Sequence, residues 1–310
     1  MISVPLSEKY RPKTLQDCIG QDAIKTQLRY YVTNPANTPH LLFSGPPGTG
    51  KTTMAKVFAR ELYQEEWQEN FLMRNASDER RLEDIRTEIK PASSYAATGK
   101  IPFRLIFLDE ADHLHHDAQP ALRGIMEENS KTARFILSCN WRNSIIEPIQ
   151  SRCMPCIFKR FGPQEIQQMV LRVVRGEGYG ITKDAFARIL ETAKGDLRLV
   201  SQLIQAAIPF AENKVVSQKA VDFGINEVEP AAFQGLINSL KLKDAPRARE
   251  SLRELLYNRG VEADEIIKKL VGSGFDTVPS LEAMAEAGWR ISQGADYEIQ
   301  LMWLLSKIME

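Results

Sequence analysis

The sequence lacks long hydrophobic runs, low-complexity tracts, internal repeats and an excess of charge of either sign. No apolar stretch approaches the ~20 residues of a membrane-spanning helix, and residues 1–10 have no apolar core of the signal-peptide type. With 40 basic and 40 acidic residues the formal net charge is zero, so binding to nucleic acid would need a local basic patch. These absences favour a cytoplasmic globular protein, and its 310 residues suggest two or three domains.

Cysteine and histidine are also scarce. The four cysteines are Cys18, Cys139, Cys153 and Cys156. The last two form a C-x-x-C pair, but no second pair stands at zinc-ribbon distance, which favours buried thiols over metal or redox use. A further cluster, His113, His115 and His116, could bind a transition metal, although a solvated loop is the simpler interpretation.

The most informative stretch present is a phosphate-binding pattern, G-x-x-x-x-G-K-T. It consists of Gly45, Pro46, Pro47, Gly48, Thr49, Gly50, Lys51 and Thr52, followed by Thr53. The apolar run 41–43 predicts a buried strand before it, and 52–62 has helical periodicity after it, which is the context this loop requires. Backbone N–H groups would then bind the β-phosphate, Lys51 would reach the β- and γ-oxygens, and Thr52 would hold Mg²⁺. The alternative is a glycine-rich turn without a ligand.

A second motif, residues 105–112, combines an apolar strand with a carboxyl-terminal pair of acids. Asp109 is expected beside the magnesium ion, and Glu110 is expected to orient and deprotonate an attacking water. A solvated turn is the alternative. Asn140 follows the next predicted strand, 133–138, so its amide could hold the water or the γ-phosphate, unless it is a plain turn residue.

The periodicity changes along the chain and divides it into three expected domains. Residues 1–162 alternate strands and helices and predict an α/β domain with a parallel sheet. After a Gly-Pro break, residues 163–226 show only helical periodicity and predict a small helical lid. Residues 227–310 predict an all-helical third domain, whose apolar positions are expected to be too numerous for a small exposed domain to bury alone. They include Leu252, Leu255, Leu256, Ile266, Leu270, Leu301, Leu304 and Leu305.

Taken together, the motifs resemble the small subunit of archaeal and eukaryotic replication factor C, a clamp loader of the AAA+ class. The resemblance rests on the segments 8–14, 19–21, 45–52, 75–80, 109–112, 140, 151–153 and 195–198, all in order. It covers residues 5 to 225 by motif and the helical tail by length and composition only. It implies a P-loop AAA+ domain, a helical lid and a helical collar.

The resemblance also assigns site residues. Tyr10, Arg11, Pro12 and Ile19 would frame the adenine. Arg198, otherwise a solvated helix arginine, would reach the phosphates from the lid. Arg152 would act in trans as an arginine finger on the adjacent subunit's ATP, the alternative being a salt bridge within its own chain.

Basic positions after Ser77 bear on DNA binding. On spacing alone, the predicted helix 77–90 is an exposed, salt-bridged helix. The resemblance instead implies that DNA phosphates are tracked by Arg80, Arg86, Lys90 and Arg123. Two departures from the family pattern, Arg81 and Gly124, leave the exact DNA contacts open.

The implied function is an ATP-dependent clamp-loader subunit with ATP and Mg²⁺ as ligands. The implied partners are a sliding clamp, a large subunit and other small subunits in a pentamer, and primer-template DNA. The implied location is the cytoplasm at the nucleoid, or the nucleus in a eukaryote. Alternatives are a generic AAA+ remodelling ATPase, a non-hydrolysing structural DNA-binding subunit and a helicase, which would need two tandem RecA-like domains.

Overall fold

The chain divides into two compact units, Met1–Ile225 and Asn226–Glu310, and each is described by itself. The computed structural model describes residues 4–76, 83, 85–95, 97–115, 117–224, 230–258, 261–271 and 273–309. No helix among these residues is long and apolar enough to cross a membrane.

A five-stranded parallel sheet forms the centre of the first unit, with strand order β2-β3-β4-β1-β5. The strands are β1 (His40–Ser44), β2 (Phe71–Asn75), β3 (Arg104–Asp109), β4 (Ala133–Cys139) and β5 (Cys153–Ile157). The runs 105–108 and 135–137 are buried throughout, as expected of strands covered on both faces. Because β3, β4 and β1 are neighbours and parallel, the acidic pair, Asn140 and the P-loop leave the sheet at the same edge.

Helices cover both faces of this sheet and create two hydrophobic cores. The helices up to residue 162 are α1 (Leu6–Lys9), α2 (Asp22–Thr33), α3 (Lys51–Tyr63), α4 (Trp67–Asn70), α5 (Lys90–Ser94), α6 (Ala118–Glu128) and α7 (Glu147–Gln150). Adjacent residues of β1 serve different cores, since Leu41 and Phe43 pack in one and Leu42 in the other. This alternation is the pleat of a strand buried on both sides.

Strand β5 was not predicted from the sequence. It contains Cys153 and Cys156, and residues three apart on a strand point to opposite faces. Cys153 accordingly packs in one core and Cys156 in the other, both as free thiols. The pair therefore cannot share a disulfide or a metal ion. Among the described residues no cluster of His, Cys, Asp or Glu suits a metal, and His116 lies outside them.

The predicted helix 77–90 differs from the structure where it is described. Ile85–Ile89 is a π-helix, and α5 follows directly and extends to Ser94. Pro91 has no N–H to continue an α-helical ladder, and a wider turn precedes it. The start of the predicted helix, including Arg80 and Arg81, lies outside the described residues.

Residues 163–224 of the first unit, called the lid below, form a helical cluster with its own core. Its helices are α8 (Pro163–Gly176), α9 (Lys183–Ala193), α10 (Leu197–Ala207) and α11 (Gln218–Gly224). The expectation of helices alone is wrong, because Gly180–Ile181 (β6) pairs in parallel with Val215–Val216 (β7). Two-residue strands are too short to show alternation in a sequence. The boundary at residue 162 stays a prediction.

The regular secondary structure described in the second unit is entirely helical. It contains α12 (Pro230–Lys241), α13 (Ala245–Arg253), α14 (Ala263–Leu270), α15 (Val278–Ser292) and α16 (Tyr297–Met309), with a π-helix at Glu254–Asn258. The expectation that its leucines and isoleucines are too numerous to bury alone is wrong. Leu252, Leu255, Ile266, Leu270, Leu301, Leu304 and Leu305 are all buried in one core within the unit, with Leu256 packed against it.

Candidate nucleotide-binding site

The P-loop joins β1 to α3 in a geometry that depends on glycine. Gly48 and Gly50 have φ of +72° and +91°, and Gly50 is the residue before the first turn of α3. The N–H of Gly45 donates to the carbonyl of Cys139 over 3.2 Å, which ties the loop to β4. The N–H groups of the first turn of α3 thus lie at the carboxyl edge of the sheet, an arrangement suited to binding an anion.

Lys51 is the buried cation of this site, with only 8% of its surface exposed. Its Nζ donates to the carbonyl oxygens of Gly45 (2.6 Å) and Pro46 (3.0 Å) and to Oδ1 of Asn140 (3.0 Å). Burial lowers its pKa, while the nearby carboxylate of Asp109 acts in the opposite sense. Neutral acceptors hold the ammonium group, and a phosphate oxygen would be a stronger, charged acceptor.

The acidic strand meets the P-loop through a direct hydrogen bond. Thr52 Oγ1 donates to Asp109 Oδ2 over 2.7 Å. A hydroxyl and a carboxylate in contact form the all-oxygen donor set that Mg²⁺ prefers, so these two residues fit that ion.

Glu110 differs from its neighbours in being exposed. Its backbone is left-handed at φ +54°, which is unusual for a residue with a side chain. Within the described part of the chain its carboxylate makes no hydrogen bond or ion pair, and it lines the same cavity as Lys51. Strain of this kind concentrates at functional sites, and here it occurs at an acidic residue of the cavity lining.

Asp112 is a site residue that the sequence analysis named only as part of a motif. Its Oδ2 accepts the backbone N–H of Asn140 over 3.0 Å, which fixes the end of β4 beside β3. Its Oδ1 is buried without a partner among the described residues. The signal was the acid at the fourth position of the motif 109–112, but only the parallel pairing of β3 with β4 reveals its contact.

The lid reaches the P-loop at the start of α10. Asp196 caps this helix, since its Oδ1 accepts the N–H groups of Arg198 (2.8 Å) and Leu199 (3.0 Å). The carboxylate of Asp196 lies against Gly48, where a Cβ would overlap it, and Leu197 N–H donates to the Gly48 carbonyl over 3.3 Å. Arg198 is thereby placed at the cavity, where its side chain is exposed.

These elements enclose a cavity of about 520 Å³. All four adenine candidates, Tyr10, Arg11, Pro12 and Ile19, line it together with residues 47–53, Asp109, Glu110, Asn140 and Arg198. Gly45 and Pro46 do not line it, and their carbonyls hold Lys51 instead. Residues that line it without having been predicted are Ser7, Glu8, Cys18, Gln21, Met54, Lys56, Met73, Ser138, Cys139, Phe161, Met169, Arg172, Leu197 and Ser201.

Tyr10 connects the amino-terminal segment to the lid. Its hydroxyl donates to Glu177 Oε1 over 2.6 Å, and Lys9 pairs with the same carboxylate at 2.8 Å. Burial and then the contact with Glu177 raise the pKa of Tyr10 to about 12, so the hydroxyl remains a donor at neutral pH.

Arg152 lies outside this cavity, at the start of β5. It is exposed, forms an ion pair with Glu127 and donates to the Pro148 carbonyl over 2.6 Å. The chain thus contains the salt bridge that the sequence analysis gave as the alternative, and Arg152 does not reach its own P-loop.

The described DNA candidates lie in α5, α6 and the π-helix before them. Arg86 is exposed, and Lys90 pairs with Glu128 at 3.2 Å. Arg123 is half-buried, and its Nε has no partner among the described residues.

Known proteins match both units. Residues 41–161 match the model of the ATPase family associated with various cellular activities, and residues 228–307 match the replication factor C C-terminal domain. Replication factor C small subunit 1 of Pyrobaculum arsenaticum is 43% identical over 97% of this chain and 93% of its own length. The chain belongs to the replication factor C small-subunit family. The small subunit of Archaeoglobus fulgidus is 39% identical over 95% of this chain and 93% of its own length.

Solved structures agree with the fold. The RuvB Holliday junction branch migration motor of Thermotoga maritima matches with a TM-score of 0.59 over 83% of this chain and 87% of that chain. At 18% identity this likeness shows the fold alone. The chain is a P-loop ATPase with the AAA+ fold, which confirms the predicted fold class and enzyme class.

Proposed function

We propose that this chain is an ATP-dependent clamp-loader subunit. In this role it binds and hydrolyses ATP at interfaces between subunits, opens a ring-shaped sliding clamp and loads it on primer-template DNA during replication. The proposal is supported most directly by the near-full-length match to replication factor C small subunits. That match coincides with a cavity that holds Lys51, Thr52, Asp109, Glu110 and Asn140 together.

The residues of the cavity have separate roles in this proposal. Lys51 leaves its carbonyl acceptors for the β- and γ-phosphate oxygens. Asn140 holds the γ-phosphate or the attacking water, and Glu110 accepts the proton of that water. Mg²⁺, when bound by Thr52 and Asp109, supplies charge neutralisation on the phosphates.

Arg198 and the adenine candidates couple the lid to the nucleotide. Arg198 approaches from the lid helix that touches Gly48, so a change in phosphate occupancy moves the same contact that positions the lid. Tyr10, Arg11, Pro12 and Ile19 receive the base on the opposite side of the cavity.

Arg152 acts as an arginine finger, supplying a positive charge to the ATP site of a neighbouring subunit. Its own cavity does not include it. Its ion pair with Glu127 is solvent-exposed, and such pairs contribute little free energy, so Arg152 can exchange Glu127 for a phosphate of the adjacent subunit. A guanidinium in that position neutralises charge that develops on the γ-phosphoryl group.

DNA binding in this proposal uses local charge. Because the whole chain is neutral, a local basic patch would have to contact the DNA phosphates, and it would do so without reading bases. The residues proposed for this patch are Arg80, Arg86, Lys90 and Arg123.

The second unit forms the collar of a pentamer with a large subunit and other small subunits. These partners place the protein at DNA, in the cytoplasm of a prokaryote or the nucleus of a eukaryote.

The alternatives have less support. A helicase would need a second RecA-like domain, whereas the described residues beyond 162 form helices and two short strands. A generic AAA+ remodelling ATPase would share the cavity but not the replication factor C match at 228–307.

The decisive experiment mixes two variants, Arg152→Ala and Lys51→Ala. Each alone is expected to assemble without turning over ATP, because an arginine finger contributes roughly 10³ to 10⁵ in rate and Lys51 holds the phosphates. Mixed complexes place some intact P-loops beside intact Arg152 residues, so partial ATP hydrolysis returns.

The control is Arg142→Ala, an exposed arginine near Arg152 that pairs with Gln150. It is expected to hydrolyse ATP normally. If mixed complexes form but stay inactive, Arg152 serves its own chain and the proposed interface site is wrong.

A further inference from the structure

Arg172 is a charged residue of the cavity wall that the P-loop chemistry does not use. It belongs to α8 in the lid, is half-buried and lines the cavity with Cys18, Ile19 and Met169. In the part of the chain that the structure describes it donates no side-chain hydrogen bond and forms no ion pair. A guanidinium carries five donors, and a ligand bound in the cavity would supply acceptors for them.

The position of Arg172 on α8 shows which part of a nucleotide it faces. Met169, Arg172 and Gly176 are three and four residues apart and share one face of the helix. Gly176 lies against Tyr10, because a Cβ at that position would overlap the tyrosine hydroxyl. The charge of Arg172 also acts on Asp17 and Cys18. Arg172 therefore faces the amino-terminal segment 10–19.

The P-loop fixes the direction of the nucleotide in this cavity. Lys51 and the first turn of α3 bind the β- and γ-phosphates, and Arg198 lies on the same side. The rest of the nucleotide must extend into the remaining volume, towards Tyr10, Ile19 and Arg172. Arg172 lines the cavity near Cys18 and Ile19, in the segment expected to hold the base, and therefore lies on the side of the base.

We propose that Arg172 contacts the adenine base of bound ATP. Its planar guanidinium stacks on the face of the base or donates to ring nitrogens, and it contributes to affinity rather than to the chemical step. The inference requires nucleotide binding by this ATPase but not clamp loading.

Isothermal titration of three ligands separates the base from the rest of the nucleotide. The ligands are ATP, ribose 5-triphosphate and inorganic tripolyphosphate. For Arg172→Ala we expect about a tenfold loss of ATP affinity, the size of one charge-assisted or cation–π contact. Affinities for the two ligands without a base should be unchanged. Arg172→Lys keeps the charge but loses the planar fork, and it should recover only part of the affinity for ATP.

The matched control is Arg175→Ala, which removes the same charge from the same helix at an exposed position outside the cavity. It should bind all three ligands as the unaltered protein does. Melting temperatures without nucleotide check the fold, and Arg172→Gln provides the same comparison if Arg172→Ala does not fold.

Three outcomes would overturn the inference. Equal losses for ATP and tripolyphosphate would mean that Arg172 acts through phosphate or through the fold. A loss shared by ATP and ribose 5-triphosphate alone would assign it to the ribose. Unchanged ATP affinity would mean that it makes no contact with the nucleotide.

Discussion

Single residues at the carboxyl edge of the sheet carry the proposed chemistry, and Glu110 is the clearest case. The sequence identified it as the candidate base from its place after an apolar strand. It could not reveal the left-handed backbone, since that conformation depends on the turn between β3 and the 3₁₀ turn Ala111–His113. The contact between Asp112 and the Asn140 backbone was equally hidden, because it joins two strands that are distant in sequence.

At this scale we predict that Glu110→Gln keeps ATP affinity and lowers kcat. The amide cannot accept the proton of the attacking water, and general-base catalysis contributes about 10²- to 10⁴-fold. Steady-state hydrolysis and equilibrium ATP binding are measured on the same assembled complex. Hydrolysis at the unaltered rate would show that another group is the base.

The elements of the sheet were predicted well where they are buried on both faces. The strand predicted at the apolar run 41–43 is observed as His40–Ser44, and the strand predicted at 105–108 is observed as Arg104–Asp109. The edge strand β5 was missed because its central Pro155 and its exposed Met154 and Ile157 remove any pattern of burial. A sequence also cannot show that the cap of α10 rests on the P-loop, since that contact depends on how the lid packs.

The contact between α10 and the P-loop leads to a stability prediction. Gly48→Ala and Gly50→Ala both place a side chain at positive φ, but only Gly48 would overlap Asp196, while nothing lies within 4 Å of Gly50. We expect Gly48→Ala to lower the free energy of unfolding by roughly 1–3 kcal/mol more than Gly50→Ala does. Denaturant unfolding without nucleotide measures the difference.

A double variant tests the cause of that difference. Asp196→Ala removes the carboxylate that the new Cβ would meet. In a protein that carries this substitution, Gly48→Ala should therefore lower the free energy of unfolding by less than it does in the unaltered protein. If the two substitutions lower the free energy of unfolding additively, the contact between Asp196 and Gly48 is not the cause of the difference.

At the scale of the whole molecule, the first unit contains three hydrophobic cores and the second contains one. The helical tail was predicted correctly, but the prediction that its leucines could not be buried within the unit was wrong. Helical periodicity shows that one face of a helix is apolar but does not show what covers that face. The structure buries those leucines inside the unit and leaves other apolar side chains outside. Leu242, Val278, Trp289 and Ile299 are each more than 60% exposed, and such side chains are candidates for contact with other subunits.

We therefore predict that a chain ending at Ile225 folds and binds ATP but does not assemble. Its cavity and its three cores lie entirely within the first unit. Light scattering gives the mass, and titration with ATP shows that the cavity is intact. A full-size complex from the shortened chain would place the assembly surface in the first unit.

The four buried thiols make the protein suited to distance measurements with fluorescent dyes. Burial raises the pKa of Cys18 and Cys139 to about 11 and that of Cys153 and Cys156 to about 12, so thiolate for reaction with a maleimide is scarce at neutral pH. Cysteines introduced at exposed positions such as Gln68 and Lys268 would then be labelled selectively, with every native cysteine left in place. Energy transfer between the two dyes would measure the distance between the two units with and without ATP.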